Sequence, residues 1–308
     1  MQFELTILGC NAAIPAYDRH PSSQVLDYNG NLFMIDCGEG TQFRMMDFGV
    51  KRARLDNIFI SHLHGDHFFG LVPLLTSFSL NWREHPLNLY GPPALQEIIN
   101  IHFKHANTQL KYDIHFHPVH DDAPRIVYED HLISVETLVL KHRLPTTGYL
   151  FREKKNLRKI IAEKIQQYNI PHQDITDIKK GADFTDANGN VISNAELTTN
   201  PPAPRSYAYC SDTAYNEDIV EQLKGVSLLY HEATFIDEHK FRAQETLHST
   251  SIEAATIAKK AGVEKLVIGH FSARYEDLSV LLNEARSIFP ETYLAKEGEM
   301  YAIGNLHK

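Results

Sequence analysis

Six consecutive residues, His62-Leu63-His64-Gly65-Asp66-His67, carry three imidazoles and a carboxylate. They directly follow Asn57-Ile58-Phe59-Ile60-Ser61, an apolar, β-branched run that reads as a buried strand. A strand that stops at such a cluster delivers its donors to the edge of a sheet, and this limits the folds open to the chain. Neutral imidazole and carboxylate oxygen suit zinc. Isolated histidines are usually surface or satisfied core residues, but four donors in one short loop do not fit that description. His62 and His64, two apart, can converge on one ion. Asp66 and His67, past Gly65, can face a second. Gly65 is expected to supply a tight turn without a Cβ penalty.

At 308 residues the chain can bury a large core. Cys10, Cys37 and Cys210 are odd in number, far apart and outside any CxxC pair. They make no disulfide framework, fit a reducing cytoplasm, and leave zinc to His and Asp. No run of about 18 apolar residues predicts a membrane span. The opening Met1-Gln2-Phe3-Glu4-Leu5-Thr6 lacks the pattern of a secretory signal. The net charge of -9 argues against nucleic-acid binding by charge alone. Bound cations and a local basic cluster offset that argument.

Along the chain, strands are expected at Phe3–Gly9, Gln24–Tyr28 and Asn31–Asp36, the last two flanking the hairpin signal Asn29-Gly30. Helical periodicity runs from Thr41 to about Phe48, and further helices are expected over Phe69–Leu80 and Pro93–His105. Strands follow at Leu87–Tyr90, Ile133–Leu140 and Gly148–Phe151. Between Arg152 and Pro204 the sequence turns polar and charged, with apolar residues grouped only around Ile160, Ile161 and Ile165. This stretch, about 153–204, reads as an arm inserted in one domain spanning 1–308, rather than as a second core. Its start holds Arg152, Lys154, Lys155, Arg158, Lys159 and Lys164. Such a run is usually a solvated face; its functional reading is a grip on a polyanion. Strand and helix then alternate again, through Tyr207–Cys210, Ser227–Tyr230, a helix with Ala254, Ile257, Ala258 and Ala261 on one face, Lys265–Gly269, and a last amphipathic helix through Leu278, Leu281, Leu282 and Ala285. Donors stand at strand ends in both halves. That implies two sheets packed face to face, helices outside, and a site along one rim.

Three later donors follow buried strands: His142, Asp212 and His270. His62, His64 and His142 would hold one zinc, and Asp66, His67 and His270 the other. Asp212, with two oxygens, would bridge them. Two cations that close leave room for a shared water and lower its pKa enough to give a nucleophile near neutral pH.

The order of these motifs resembles the metallo-β-lactamase superfamily and, within it, the ribonuclease Z family. The matching pieces include Leu8-Gly9 with Ala12-Ala13-Ile14-Pro15, Asp36-Cys37-Gly38-Glu39-Gly40-Thr41-Gln42, the His62 loop, and Tyr90-Gly91-Pro92-Pro93. The Asp212 segment Tyr209-Cys210-Ser211-Asp212-Thr213, His231-Glu232-Ala233-Thr234-Phe235, His248-Ser249-Thr250 and Gly269-His270-Phe271-Ser272-Ala273-Arg274-Tyr275 complete the set. The His62 loop alone marks only the superfamily; the Glu232 and His248 segments together are more specific. The resemblance implies an α/β fold, a four-layer αββα sandwich with a protruding arm. It also implies two zinc ions per chain and hydrolysis of precursor tRNA after the discriminator nucleotide by a cytoplasmic homodimer, one subunit's arm holding tRNA at the other's site. Asp66 would be ligand and general base, and His248 a catalytic residue beside the scissile phosphate. Asp36 would orient the metal loop from behind. Glu232 is a candidate to orient His248, with a purely structural carboxylate as the alternative.

Two segments depart from the family. The arm stretch Ile170-Pro171-His172-Gln173-Asp174-Ile175 lacks the usual Gly-Pro pair, although Lys179-Lys180-Gly181 lies nearby. Near Pro15, where a Lys and an Arg-Asn pair are common, the chain has Tyr17 and Arg19-His20. An alternative reading is a hydrolase of the same fold acting on small phosphodiesters or sulfate esters, which would need no arm. A non-catalytic RNA-binding scaffold has no use for both ligand sets, and thiolesterase or β-lactamase activity does not account for His248 together with the basic arm.

Overall fold

Alternation along Asn31–Cys37 sends Phe33 and Ile35 to one face of a strand and Leu32 and Met34 to the other, and all four are buried. A strand with two buried faces belongs inside a layered fold. The computed structural model describes residues 2–304. Met1, where the N-terminal reading begins, and residues 305–308 of the single-domain assignment lie outside the described residues. Two seven-stranded sheets are present. The first orders its strands Met300–Ala302, Phe3–Gly9, Ser23–Tyr28, Asn31–Cys37, Leu55–Phe59, Leu87–Gly91 and Ile114–Pro118. The second runs Thr292–Leu294, Leu266–Gly269, Leu228–Glu232, Ser206–Cys210, Thr147–Glu153, Ile133–Val139 and Ile126–Glu129.

Aromatic rings join the inner faces. Phe33 meets Phe151 at 5.7 Å and Phe59 meets Tyr149 at 5.1 Å between ring centroids, both edge to face. The Tyr149 hydroxyl donates to the Ile60 carbonyl at 2.8 Å, so its polar end is satisfied inside the layer. On the outer face of the first sheet, Met34, Ile58 and Leu89 pack against Met45, Leu71, Leu75, Phe78, Leu95 and Ile99 of the helices. On the second sheet the helix Ser251–Ala261 buries Ala254, Ala255, Ile257, Ala258 and Ala261. The result is the expected four-layer αββα arrangement.

Register then sets the rim. In the second sheet the parallel pairs Cys210 with His231 and Glu232 with Gly269 bring three strand ends level. In the first, Ile35 pairs with Phe59 and Phe59 with Tyr90, so Cys37 and the His62 loop leave together. Just past these ends Asp212 and His270 adopt left-handed backbone, φ 54° and 58°, and Asp36 does so within its strand at φ 56°. Such non-glycine conformations cost free energy and concentrate where side chains are aimed at a site.

The helix expected over Phe69–Leu80 forms as Leu71–Leu80, starting two residues later, and a separate short helix, Gly65–Phe68, precedes it. The break has a cause: the Gly70 N–H bonds the Cys37 carbonyl at 2.9 Å, and a Cβ on Gly70 would stand 2.1 Å from the Gly38 oxygen. Gly65 also differs from expectation. It is not in a left-handed turn but opens the short helix, and its missing Cβ makes room for the Phe69 ring, which a Cβ would approach to 2.2 Å. No helix among the described residues is long and apolar enough to cross a membrane.

The chain divides into two compact units. Most of it, including both sheets' central strands and every donor named above, forms the first; His131–Ile133 with Arg152–Arg205 form the second. The expectation of an arm without a core of its own is corrected here. Ile170, Ile178, Phe184, Ile192 and Leu197 are buried together, with Ile160, Ile165, Tyr168 and Ile175 packed against them. Their elements are two to six residues long, too short to show periodicity. The unit is closed at its base by Arg205, which donates to Glu153 through Nε at 2.9 Å and Nη2 at 2.6 Å.

Candidate metal centre

The rim brings all seven sequence-predicted ligands together, in two groups. His62 Nε2 and His142 Nε2 stand 2.9 and 3.2 Å from His64 Nδ1. On the other side His67 Nε2 and His270 Nε2 are 3.3 Å apart, and Asp66 Oδ2 lies 3.6 and 3.5 Å from them. Asp212 stands between. Its Oδ2 is 3.4 Å from His62 and 3.6 Å from His142, while its Oδ1 is 3.2 Å from His67 and 3.1 Å from His270.

The far nitrogens explain why these near ones converge. His142 Nδ1 donates to the Leu247 carbonyl at 2.9 Å and His67 Nδ1 to Asp36 Oδ2 at 2.6 Å. His62 Nδ1 and His270 Nδ1 face the hydroxyls of Ser61 and Thr234, each at 3.0 Å. With its proton committed outward, each ring turns a bare lone pair inward, the tautomer a metal needs. Lone pairs pointed at one another repel unless a cation sits between them. Ligand atoms about 2.0–2.1 Å from a tetrahedral ion stand roughly 3.3 Å apart, and these spacings bracket that figure. The donor set therefore fits two divalent ions.

Electrostatics point the same way. Burial alone would raise Asp212 and Asp66, but the surrounding imidazoles hold both carboxyls well below the usual carboxylate range. Burial lowers His142 to about 4, so it is neutral and free to ligate at pH 7. His67 goes the other way: burial would lower it, yet Asp212, Asp66 and Asp36 raise it well above its ordinary value. Buried carboxylates this close demand positive charge, which bound cations would supply.

Asp36 is fully buried. It accepts from the Ser61 N–H at 2.7 Å, the Ser61 hydroxyl at 2.8 Å and the Tyr209 hydroxyl at 2.7 Å, besides His67. It thus ties the start of the His62 loop to its last candidate donor, His67. Glu232, also fully buried, accepts from the Thr213 N–H at 2.8 Å, the Thr234 hydroxyl at 2.5 Å and His248 Nδ1 at 2.8 Å. The contact with His248 is the one the sequence suggested and had no means of demonstrating. Burial would lower His248, but Glu232 raises it to about 9. The rest of the His248 segment is structural. Ser249 donates to the Thr213 carbonyl at 2.7 Å, and Thr250 caps the next helix in a capping box with Glu253.

Some partners were missed. Thr234, within the Glu232 segment, links His270 to Glu232. The Ala13 N–H donates to Asp66 Oδ2 at 2.7 Å. Phe69 and Arg143 line the cleft over the centre; only their place close to the candidate ligands His67 and His142 marks them in the sequence. Arg19, the basic residue kept near Pro15, bonds the Tyr275 carbonyl at 2.5 Å and Asn11 Oδ1 at 3.0 Å. The three cysteines are free and buried, and burial pushes the Cys37 thiol up to about 12, so none competes as a ligand.

Residues 3–157 match the family model described as anti-Pycsar protein Apyc1. A ribonuclease Z of Bacteroides thetaiotaomicron is 48% identical over 305 residues, 99% of this chain and 96% of that protein. One from Parabacteroides distasonis is 46% identical, covering 98% and 99%. The crystal structure of human tRNase Z, short form, is similar at a TM-score of 0.71 with 27% identity, over 98% of this chain and all of that one.

Proposed function

The chain belongs to the ribonuclease Z family, and on that footing we propose that it is a tRNA 3′-processing endonuclease that frees the 3′ trailer of precursor tRNA just after the discriminator nucleotide. The observation that carries the ligand assignment is the division of Asp212, one oxygen toward each group of imidazoles. His62, His64 and His142 would hold one zinc, Asp66, His67 and His270 the other, with Asp212 shared. When bound, two such ions activate a water and neutralise phosphate charge as it builds in the transition state.

The protein's own groups supply the rest. Asp66, held ionised and oriented by the Ala13 N–H, accepts a proton from the attacking water. His248, with Nδ1 committed to Glu232, carries a proton at Nε2 and gives it to the leaving 3′-oxygen. The bond broken is phosphorus to the 3′-oxygen. The tRNA keeps a 3′-hydroxyl, and the trailer keeps a 5′-phosphate. Glu232 and Asp36 are positioning residues that fix His248 and His67. The active form is taken as a cytoplasmic homodimer in which the arm of one subunit holds tRNA for the other. The exposed Lys155 and Lys159 suit that use, while Arg158 and Lys164 are engaged within the arm with Thr198 and Glu196.

Metal analysis of the zinc-reconstituted protein tests the assignment. Two zinc ions per chain are expected, with occupancy falling at both positions in Asp212→Ala. One ion per chain, or a variant that keeps two, would overturn the shared role of Asp212.

A further inference from the structure

The cleft over the metal centre has a volume of about 450 Å³, in the range of small-ligand sites. Among its lining groups, Phe69 and Arg143 have no part in the chemistry above. Phe69 is 65% exposed, whereas its neighbour Phe68 is 8% exposed in the core. Leaving a benzyl group in water gives up roughly 1.5–3 kcal/mol of burial. The ring is nonetheless held: it lies over Gly65, where the missing Cβ makes its seat, and meets Phe68 edge to face at 5.0 Å. Arg143, next to the ligand His142, is exposed and has no hydrogen bond or ion pair among the described residues. Of the two exposed charged side chains lining the cleft, Arg143 attracts phosphate and Glu39 repels it. A seated, exposed aromatic face and a free guanidinium are the two groups that recognise a single-stranded nucleotide, one through the base and the other through the phosphate.

Resting on the endonuclease reading, we infer that Phe69 and Arg143 form a nucleotide clamp at the mouth of the metal cleft. Phe69 stacks on a base flanking the scissile bond, and Arg143 holds an adjacent phosphate. The clamp tolerates any base, since every base has a π-face, and it sets the cleaved phosphate over the metals.

The test is cleavage of a 3′-extended precursor tRNA by the zinc-loaded full chain, using intact substrate and substrates abasic at the discriminator or first trailer position. Phe69→Leu should lower kcat/KM on intact RNA roughly 5- to 150-fold, the worth of one stacked base, and Phe69→Tyr should restore most of it. One abasic substrate should cost the wild type a similar factor and cost Phe69→Leu little more. Arg143→Gln should reduce the slope of log kcat/KM against log salt by about 0.7, one single-strand phosphate contact. Equal losses for Phe69→Leu on intact and abasic RNA, or no loss, overturn the stacking role. An unchanged salt slope overturns the phosphate role. A wild type that cuts no precursor RNA overturns the endonuclease reading and the clamp with it. A wild type that cuts normally beside an indifferent Phe69→Leu overturns the clamp alone.

Discussion

Replacing Glu232 by glutamine removes one negative charge from beneath His248 while nearly preserving the side chain's size. Burial would lower His248, but Glu232, with a smaller push from Asp212, raises it from its ordinary 6.5 to about 9. That difference amounts to roughly 3 kcal/mol in favour of the imidazolium. The sign follows from the proposed role: a His248 that works as an acid must be protonated, so activity is present below its pKa and lost as pH rises through it. With a value of about 9, roughly nine-tenths of His248 is protonated at pH 8; near 6.5, roughly 3% is. Because burial still lowers His248 once Glu232 is gone, Glu232→Gln should lose about 30-fold or more in kcat at pH 8 and far less at pH 6, its basic limb moving to lower pH. Bound cations lower both values, and the comparison reads the difference between the two enzymes. The assay is single-turnover cleavage of precursor tRNA from pH 5.5 to 9.5, with zinc content checked for each protein. A loss by the same factor at every pH would refute the reasoning. It would leave Glu232 as a structural carboxylate that secures only Thr213 and Thr234.

Other substitutions probe the supports of the site and fold. Asp36→Asn turns an amide donor toward groups that already donate, and should weaken zinc affinity roughly 10- to 100-fold in chelator competition; unchanged affinity would remove Asp36 from the ligand-orienting network. Arg205→Ala leaves Glu153, which is 7% exposed, without its bidentate partner. A destabilisation of roughly 3 kcal/mol is expected, read as lost hydrogen-exchange protection within 153–205, and full protection would contradict it. Thr250→Ala removes the cap of Ser251–Ala261 and should cost about 1 kcal/mol in urea unfolding; an unshifted midpoint would contradict the capping role.

The parts of this molecule legible in its sequence are those governed by local pattern. The His62 loop, its preceding strand and the donors after Leu140, Cys210 and Gly269 could be placed on one rim because buried strands are apolar runs and their ends are abrupt. What escaped depends on tertiary approach. The break at Phe69-Gly70 arises from contact with Cys37 and Gly38, far back in the chain. The edge strands Ile114–Pro118 and Ile126–Glu129 are half exposed and include His115, His117 and Glu129, so their alternation is weak. The arm's core is assembled from single apolar residues on separate short elements. The bond from Glu232 to His248 spans 16 residues, and sheet register and the Leu247 turn, φ 55°, bring it about.

The central claim is that this rim cuts precursor tRNA at one phosphodiester. The most direct test is to incubate the zinc-loaded protein with a 3′-extended precursor tRNA, map both product ends, and run Asp212→Ala and a small chromogenic phosphodiester in parallel. The account predicts a single cut after the discriminator nucleotide, leaving a 3′-hydroxyl on the tRNA and a 5′-phosphate on the trailer, and abolished by the substitution. Turnover of the small ester with no cleavage of the RNA would contradict it.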